Sequence, residues 1–337
     1  MTEESSTASH LSVAMTTIGI TQNAGENAMT SLSLPGVAFF LCCAMGVVGT
    51  ATNGLVLYAM VASKQHKKQV LIFNQNVLDL FTCISIVVSN SLKFSRVQLS
   101  GSLGYLLCTL LLSDCLTWIF ATGSNFNLAS VTVERYLKVV HSAWSKTKLR
   151  KWIIYSAGAF AWIGALLYHA TLAFSTTDVI DGQCYVYTFW QSDTANAFEL
   201  FYNFVTFYVV IILIFIFCYW RILTVIHRQA SVMAGHAAAG PITAAQTQTQ
   251  AQYNQIQSNV AKTMVFVCAF HAISWLPIYI YMLNVRLNIN QALVPYYYVA
   301  LMFAYLYMCT NPFFYATKFD PVRKVLLRLN PCKKTTE

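Results

Sequence analysis

Residues 108–141 read CTLLLSDCLTWIFATGSNFNLASVTVERYLKVVH. Asp114 alone interrupts the run with an acidic charge before Glu134 and Arg135 arrive together, followed by Tyr136. From about Tyr105 to Lys138 a helix would run roughly 50 Å at 1.5 Å per residue, more than a bilayer core requires, so a tilted span is expected. Thr117, Thr122, Ser124, Asn125 and Asn127 add polar groups at depths where lipid offers no hydrogen bonds. A lone membrane anchor would not need them; a helix inside a bundle would.

The rest of the chain supplies the bundle. With 57% hydrophobic and only 10% charged residues among 337, the excess apolar area must face lipid. Long apolar windows recur at about 35–62, 69–92, 105–138, 150–174, 197–226, 258–283 and 292–316, each long enough to cross. The expected architecture is an all-α membrane protein. A flexible extracellular tail (1–34) precedes a seven-transmembrane helix domain (35–316), and an amphipathic helix with a cytoplasmic tail (317–337) follows. Seven crossings put the two termini on opposite sides.

The formal charge of +9 is not a nucleic-acid signature, because of where the charges lie. Eighteen of the 21 Lys and Arg fall on one face of such a bundle, leaving Lys93, Arg96 and Arg286 on the other. Under the positive-inside rule the crowded face is cytoplasmic, which puts the N-terminus outside and the C-terminus inside a plasma-membrane protein. Glu3, Glu4, Glu26, Asp178, Asp181, Asp193 and Glu199 give the outer surface an acidic excess, either an ordinary solvated feature or one suited to a cationic ligand.

Most of the ten Cys fall inside spans as small apolar residues. Cys108 opens the third span on its outer side and Cys184 lies in the loop after span four, so both face an oxidising compartment where pairing is possible. Cys332 follows an amphipathic segment and suits palmitoylation, or is a free tail thiol. No Asn-x-Ser/Thr triplet occurs, so N-glycosylation is not expected.

Several residues stand out against this background. Asp79, in Asn74-Gln-Asn-Val-Leu-Asp79, is the one carboxylate near the middle of the bundle, and must be protonated, ion-bound or hydrogen-bonded. Gly49 to Asn53 combines small packing residues with a polar amide. Residues 229–257, rich in Ala, Gln, Thr and Gly, suggest a mobile inner loop flanked by helical extensions of spans five and six. Pro277, in Ser274-Trp-Leu-Pro277, removes a backbone hydrogen bond and makes a hinge. Lys318 to Leu329 alternates apolar and basic residues with helical period, as in a helix lying on the inner leaflet.

Taken in order, Asp79, Glu134-Arg135-Tyr136, Trp162, Tyr219, Trp275-x-Pro277, Asn311-Pro312-x-x-Tyr315 and the two outer Cys resemble the motif set of rhodopsin-like (class A) G-protein-coupled receptors, one per expected helix over about residues 35–332. The resemblance implies a receptor, not an enzyme, which binds an extracellular ligand and activates heterotrimeric G proteins. Glu134, Arg135, Tyr136, Tyr219, Trp275, Pro277, Asn311, Pro312 and Tyr315 would form its coupling and switching parts, and Cys108 and Cys184 its disulfide. It further implies that Asp79, Ser124 and Asn311, with Asn53 nearby, surround a pocket able to hold sodium; no other cofactor is expected. Ligand contacts would come from Asp114, Thr117, Trp118, Ala121, Tyr202, Tyr279, Met282, Tyr298 and Tyr305.

The departures from that pattern narrow the reading. The Cys108-to-Arg135 interval is two residues longer than usual, so either the disulfide attaches higher or the helix bulges. Thr117 stands where amine receptors place Asp, although Asp114 lies nearly one turn outward. Tyr305 stands where opsins keep the retinal-binding Lys, which argues against covalent retinal. Thr117 and the acidic outer loops lean toward a peptide ligand. Ile211 replaces the usual Pro of span five, and Tyr307 replaces a small polar residue beside the sodium pocket. Asn125 and His271 replace apolar switch residues and are expected to pair by a hydrogen bond. Gln257 replaces an acid that would pair with Arg135, which predicts raised basal activity. The rival reading is a transporter or channel using Asp79, Asn125 and His271 as an ion or proton relay, but no inverted repeat or matched pair of broken helices supports it. A membrane-embedded enzyme lacks a His-x-x-His metal cluster or Ser/Lys pair in the spans.

Overall fold

Each apolar window forms a helix, because in lipid every backbone N–H and C=O must be satisfied within its own segment. The computed structural model describes residues 34–95, 97–186, 193–237, 244–286, 294–318 and 320–329. Most of the 1–34 tail and Cys332 lie outside them, as do the side chains of Gln257 and Tyr315. Span one is Leu34–Ala62 and span two Val70–Ser95. Span three runs from Gly101 to Val140. Span four is Lys151–Thr176, and span five runs from Asp193 to Ala237. Span six is Ala244–Arg286 and span seven Val294–Lys318. Spans five and six both extend into the stretch read as an inner loop.

The first six contain segments long and apolar enough to cross a membrane. Span seven, diluted by Tyr296, Tyr297, Tyr298 and Asn311–Pro312, is held by packing along spans one and six. A last helix, Asp320–Leu329, buries Val322 against the bundle and exposes Arg323, Lys324 and Arg328.

Small residues bring the helices together, since lipid is as apolar as Leu and only close packing rewards association. A Cβ on Gly49 would fall 2.8 Å from Cys309 Sγ and closer still to Cys83 Sγ, so spans one, two and seven meet there only because Gly49 has none. At Gly123 a Cβ would sit 3.0 Å from Leu78 Cδ2 and 3.2 Å from the Ala161 carbonyl oxygen, where spans two, three and four converge.

Two spans depart from regular helix. Span three widens into a π turn at Cys108–Leu112 and breaks at Asp114, whose φ of 61° is left-handed, before Cys115–Val140 resumes. This is the bulge that accounts for the long Cys108-to-Arg135 interval. Span five has a π turn at Val205–Val209 without any proline. Tyr208 within it donates to the Ala272 carbonyl at 3.0 Å, tying span five to span six five residues before Pro277.

Between spans four and five the chain forms a hairpin the sequence analysis did not anticipate. Strand β1 (Thr177–Ile180) pairs antiparallel with β2 (Gln183–Val186) through Asp181–Gly182, both at positive φ. A two-residue Asp-Gly loop is the turn whose twist suits a tight hairpin. Cys184 on β2 bonds to Cys108, and Leu99 N–H donates to the Gly182 carbonyl at 3.0 Å, so the hairpin is fastened over one end of the bundle.

Candidate functional site

Three groups of side chains lie along span three, at its disulfide end, its middle and its Arg135 end. At the disulfide end a cavity of about 190 Å³ opens between spans three, four, five and six. Trp118, Trp275, Tyr279 and Phe207 provide aromatic walls, and Thr122, His169, Glu199 and Asn203 the polar ones. His169 Nε2 and the Thr122 hydroxyl are 2.7 Å apart. Asn203 donates to Glu199 Oε1 at 2.6 Å and to the Tyr168 hydroxyl at 2.5 Å, which fixes the carboxylate's position on the helix.

Of the residues expected to touch ligand, Trp118, Tyr279 and Met282 line this cavity. The others are distributed elsewhere. Asp114 is buried in an ion pair with Lys93 and accepts a hydrogen bond from Ser89. Thr117 and Ala121 are buried in span three, and Tyr202 is 42% exposed against Phe198 and Tyr168. Tyr298 packs on Phe39 and Tyr297, and Tyr305 clusters with Cys42, Ile86 and Leu301. The cavity therefore belongs to spans three to six, whereas Asp114, Tyr298 and Tyr305 belong to the side formed by spans one, two and seven. Sequence reasoning missed His169 and Asn203 and placed Glu199 only in the general acidic excess of the outer surface; the signal available was three polar residues on otherwise apolar helices near that surface.

In the middle, Asp79 is fully buried and accepts from Ser124 Oγ at 2.6 Å, Asn311 Nδ2 at 2.8 Å and Gln75 Nε2 at 3.4 Å. These three groups come from spans three, seven and two. Asn53 does not join them: its amide donates to the carbonyls of Gly49 at 2.9 Å and Met308 at 3.3 Å. All the contacts to the carboxylate are donated, an arrangement that suits a carboxylate and leaves little of it for a cation.

Between cavity and middle lies a stack of rings. Trp118 and Trp275 are 6.3 Å apart, and His271 is boxed by Trp275 at 5.8 Å, Phe215 at 5.7 Å and Tyr307 at 5.0 Å. The expected Asn125–His271 hydrogen bond is not formed. Both ring nitrogens of His271 and Oδ1 of Asn125 have no hydrogen-bond partner among the described residues. Aromatic packing on three sides holds the imidazole where Asn125 does not bond it.

At the far end Arg135 is only 2% exposed. It reaches Glu134 Oε2 at 3.4 Å and donates to Gln69 Oε1, while Lys138 donates to Glu134 Oε1 at 2.5 Å. Gln69, just before span two, is a partner of Arg135 that the sequence analysis missed. Tyr219 is buried beside Thr132, with their hydroxyls 3.4 Å apart. Tyr136 bonds His141 at 3.1 Å. Pro277 and Pro312 both lie inside continuous helices.

Comparison with known proteins gives consistent results. The family description "7 transmembrane receptor (rhodopsin family)" matches residues 52–315. Melanin-concentrating hormone receptor 1 of Macaca mulatta is 25% identical over 93% of this chain and 85% of its own length. Galanin receptor type 1 of Rattus norvegicus is 23% identical over 89% and 83%. The crystal structure of squid rhodopsin superposes with a TM-score of 0.72, covering 89% of this chain and 87% of its own at 19% identity, a likeness of fold alone.

Proposed function

Since the chain belongs to the rhodopsin family of seven-transmembrane receptors, matched over residues 52–315, we propose that it takes a peptide at its disulfide end and answers it at Arg135. A protein of this family is a multi-pass membrane receptor coupling to heterotrimeric G proteins, not an enzyme. The disulfide end faces outward and carries the N-terminus; the Arg135 end and the C-terminal helix face the cytoplasm, where most Lys and Arg are found. Cys332, three residues past that helix in the sequence, suits palmitoylation. The peptide class is supported by Thr117 at the position where amine receptors carry Asp, by the acidic outer loops, and by relatives that are receptors for melanin-concentrating hormone and galanin.

The observation that carries the mechanism is that Trp275 belongs to two structures at once. It lines the outer cavity, and it stands at the top of the ring stack that passes through His271 and Tyr307. A ligand that fits better when Trp275 shifts favours a second packing of span six. The bend at Pro277 then carries the inner end of that helix away from span three. Arg135 and Tyr219, both buried, become available to the G protein only after that movement.

A direct test is agonist binding in membranes that contain the receptor and a heterotrimeric G protein, screened with a peptide panel. At least one peptide should bind in two affinity states, and a non-hydrolysable GTP analogue should abolish the tighter one. Transport of an ion or solute with no effect of nucleotide on any ligand would overturn the reading in favour of a transporter.

A further inference from the structure

The groups that meet Asp79 are not free to turn, and the reason begins in another helix. In span four the indole N–H of Trp162, which can only donate, donates to Asn74 Oδ1 at 2.9 Å. The Asn74 amide is thereby oriented, and its nitrogen donates to Asn127 Oδ1 at 2.8 Å. The Asn127 nitrogen then donates to the Leu71 carbonyl at 2.8 Å and to Gln75 Oε1 at 2.7 Å. A backbone carbonyl only accepts, so this amide is pinned from a second side. With its oxygen already engaged, Gln75 turns its NH2 toward Ser124 Oγ and Asp79 Oδ1. Every bond from Trp162 to Asp79 runs in one direction.

We propose that Gln75 stands in for a cation at Asp79, so that this receptor, unlike the pattern it resembles, takes no sodium in its core. A hard cation needs oxygen lone pairs around it. Here three of the roughly four lone-pair sites of the carboxylate are filled by N–H and O–H donors. The Ser124 oxygen accepts from Gln75 while donating to Asp79. Tyr307, wholly buried one turn from Asn311, carries a bulky phenol whose hydroxyl already accepts from Asn311 Nδ2 at 3.5 Å. What is left over, Oδ1 of Asn311, Oδ1 of Asn53 and the remaining lone pair of the Tyr307 hydroxyl, is at most three neutral oxygens, too few for a coordination shell.

The test needs neither ligand nor G protein. The thermal midpoint of the purified receptor is measured in sodium chloride and in N-methyl-D-glucamine chloride at equal ionic strength. The wild-type protein should unfold at the same temperature in both. Gln75→Leu removes the amide, and Gln75→Glu, nearly isosteric, replaces the donor with an acceptor beside Asp79. Each variant should be less stable in the sodium-free buffer and recover with sodium in a saturable way, as linkage to a bound ion requires. Stabilisation of the wild type by sodium overturns the proposal. So does indifference to sodium in both variants, since Gln75 would then not be what excludes the ion; if Gln75→Leu fails to fold, Gln75→Glu decides.

Discussion

Span three carries a buried ion pair at each end, and the two are built differently. Near the disulfide, Asp114 sits at a break in the helix with φ of 61° and pairs with Lys93, with Ser89 donating a further bond. At the other end the helix is regular, and Glu134 is shared between Arg135 and Lys138, while Arg135 leans on the neutral Gln69 and leaves its Nε without a partner among the described residues. The first is a closed one-to-one pair on distorted backbone. The second divides one carboxylate between two cations and completes the set with a neutral amide. A closed pair resists opening, whereas a shared one can be undone one bond at a time. The outer pair is therefore an anchor and the inner cluster a latch.

The largest effect should come from opening the anchor. Lys93→Met leaves Asp114 buried and unpaired, and loss of one partner of such a pair costs about 3–5 kcal/mol. A large fall in thermal midpoint is expected, and the double variant Lys93→Met with Asp114→Leu should recover most of it. If the single change leaves the midpoint unmoved, the two ends do not differ in kind. Next in size, Cys184→Ser removes the covalent tie between the hairpin and span three, which closes a separation of 76 residues, and should cost about 2–5 kcal/mol, read from the same melting curve.

At the latch the readout changes from stability to signalling. Gln69→Leu removes a hydrogen bond to a buried charged group, worth about 1.5–3 kcal/mol, and should raise ligand-free nucleotide exchange several-fold, with a fall in melting temperature smaller than that of Lys93→Met. A drop in stability with unchanged basal exchange would make Gln69 merely structural. The smallest effect is expected from Gln257→Glu, which supplies an acid on span six where relatives of this pattern pair it with the arginine. It should lower basal exchange modestly, and an unchanged baseline would leave Arg135 without an acidic partner on span six.

The spans and the Cys108–Cys184 bond were legible in the sequence because they rest on one-dimensional signals: apolar run length, the side on which Lys and Arg collect, and two Cys displaced to one surface. The hairpin had its own local signal in Asp181–Gly182, set between Val179–Ile180 and Cys184–Val186. The bulge in span three was visible only as an excess of two residues, without its position. Gln69 and Gln75 escaped notice because a glutamine near a helix end, or among Asn and Asp, acquires meaning only from the partner it meets across the bundle. The Asn125–His271 pair failed for a related reason. Sequence position brought two polar residues to neighbouring helices, yet Phe215, Trp275 and Tyr307 enclose the imidazole. Tyr298 and Tyr305 were grouped with the ligand contacts although helical phase turned them toward spans one and two.

The wide turn at Cys108–Leu112 also sets the rotational phase of everything above it. Each residue added to or removed from a helix swings its continuation by about 100°. Deleting one residue from this turn would leave Cys115–Val140 untouched and yet rotate Cys108 by more than a quarter circle, out of reach of its sulfur partner on the hairpin. Insertions and deletions in that short segment therefore act as a dial for how the outer rim faces, independent of the machinery that sits beneath it.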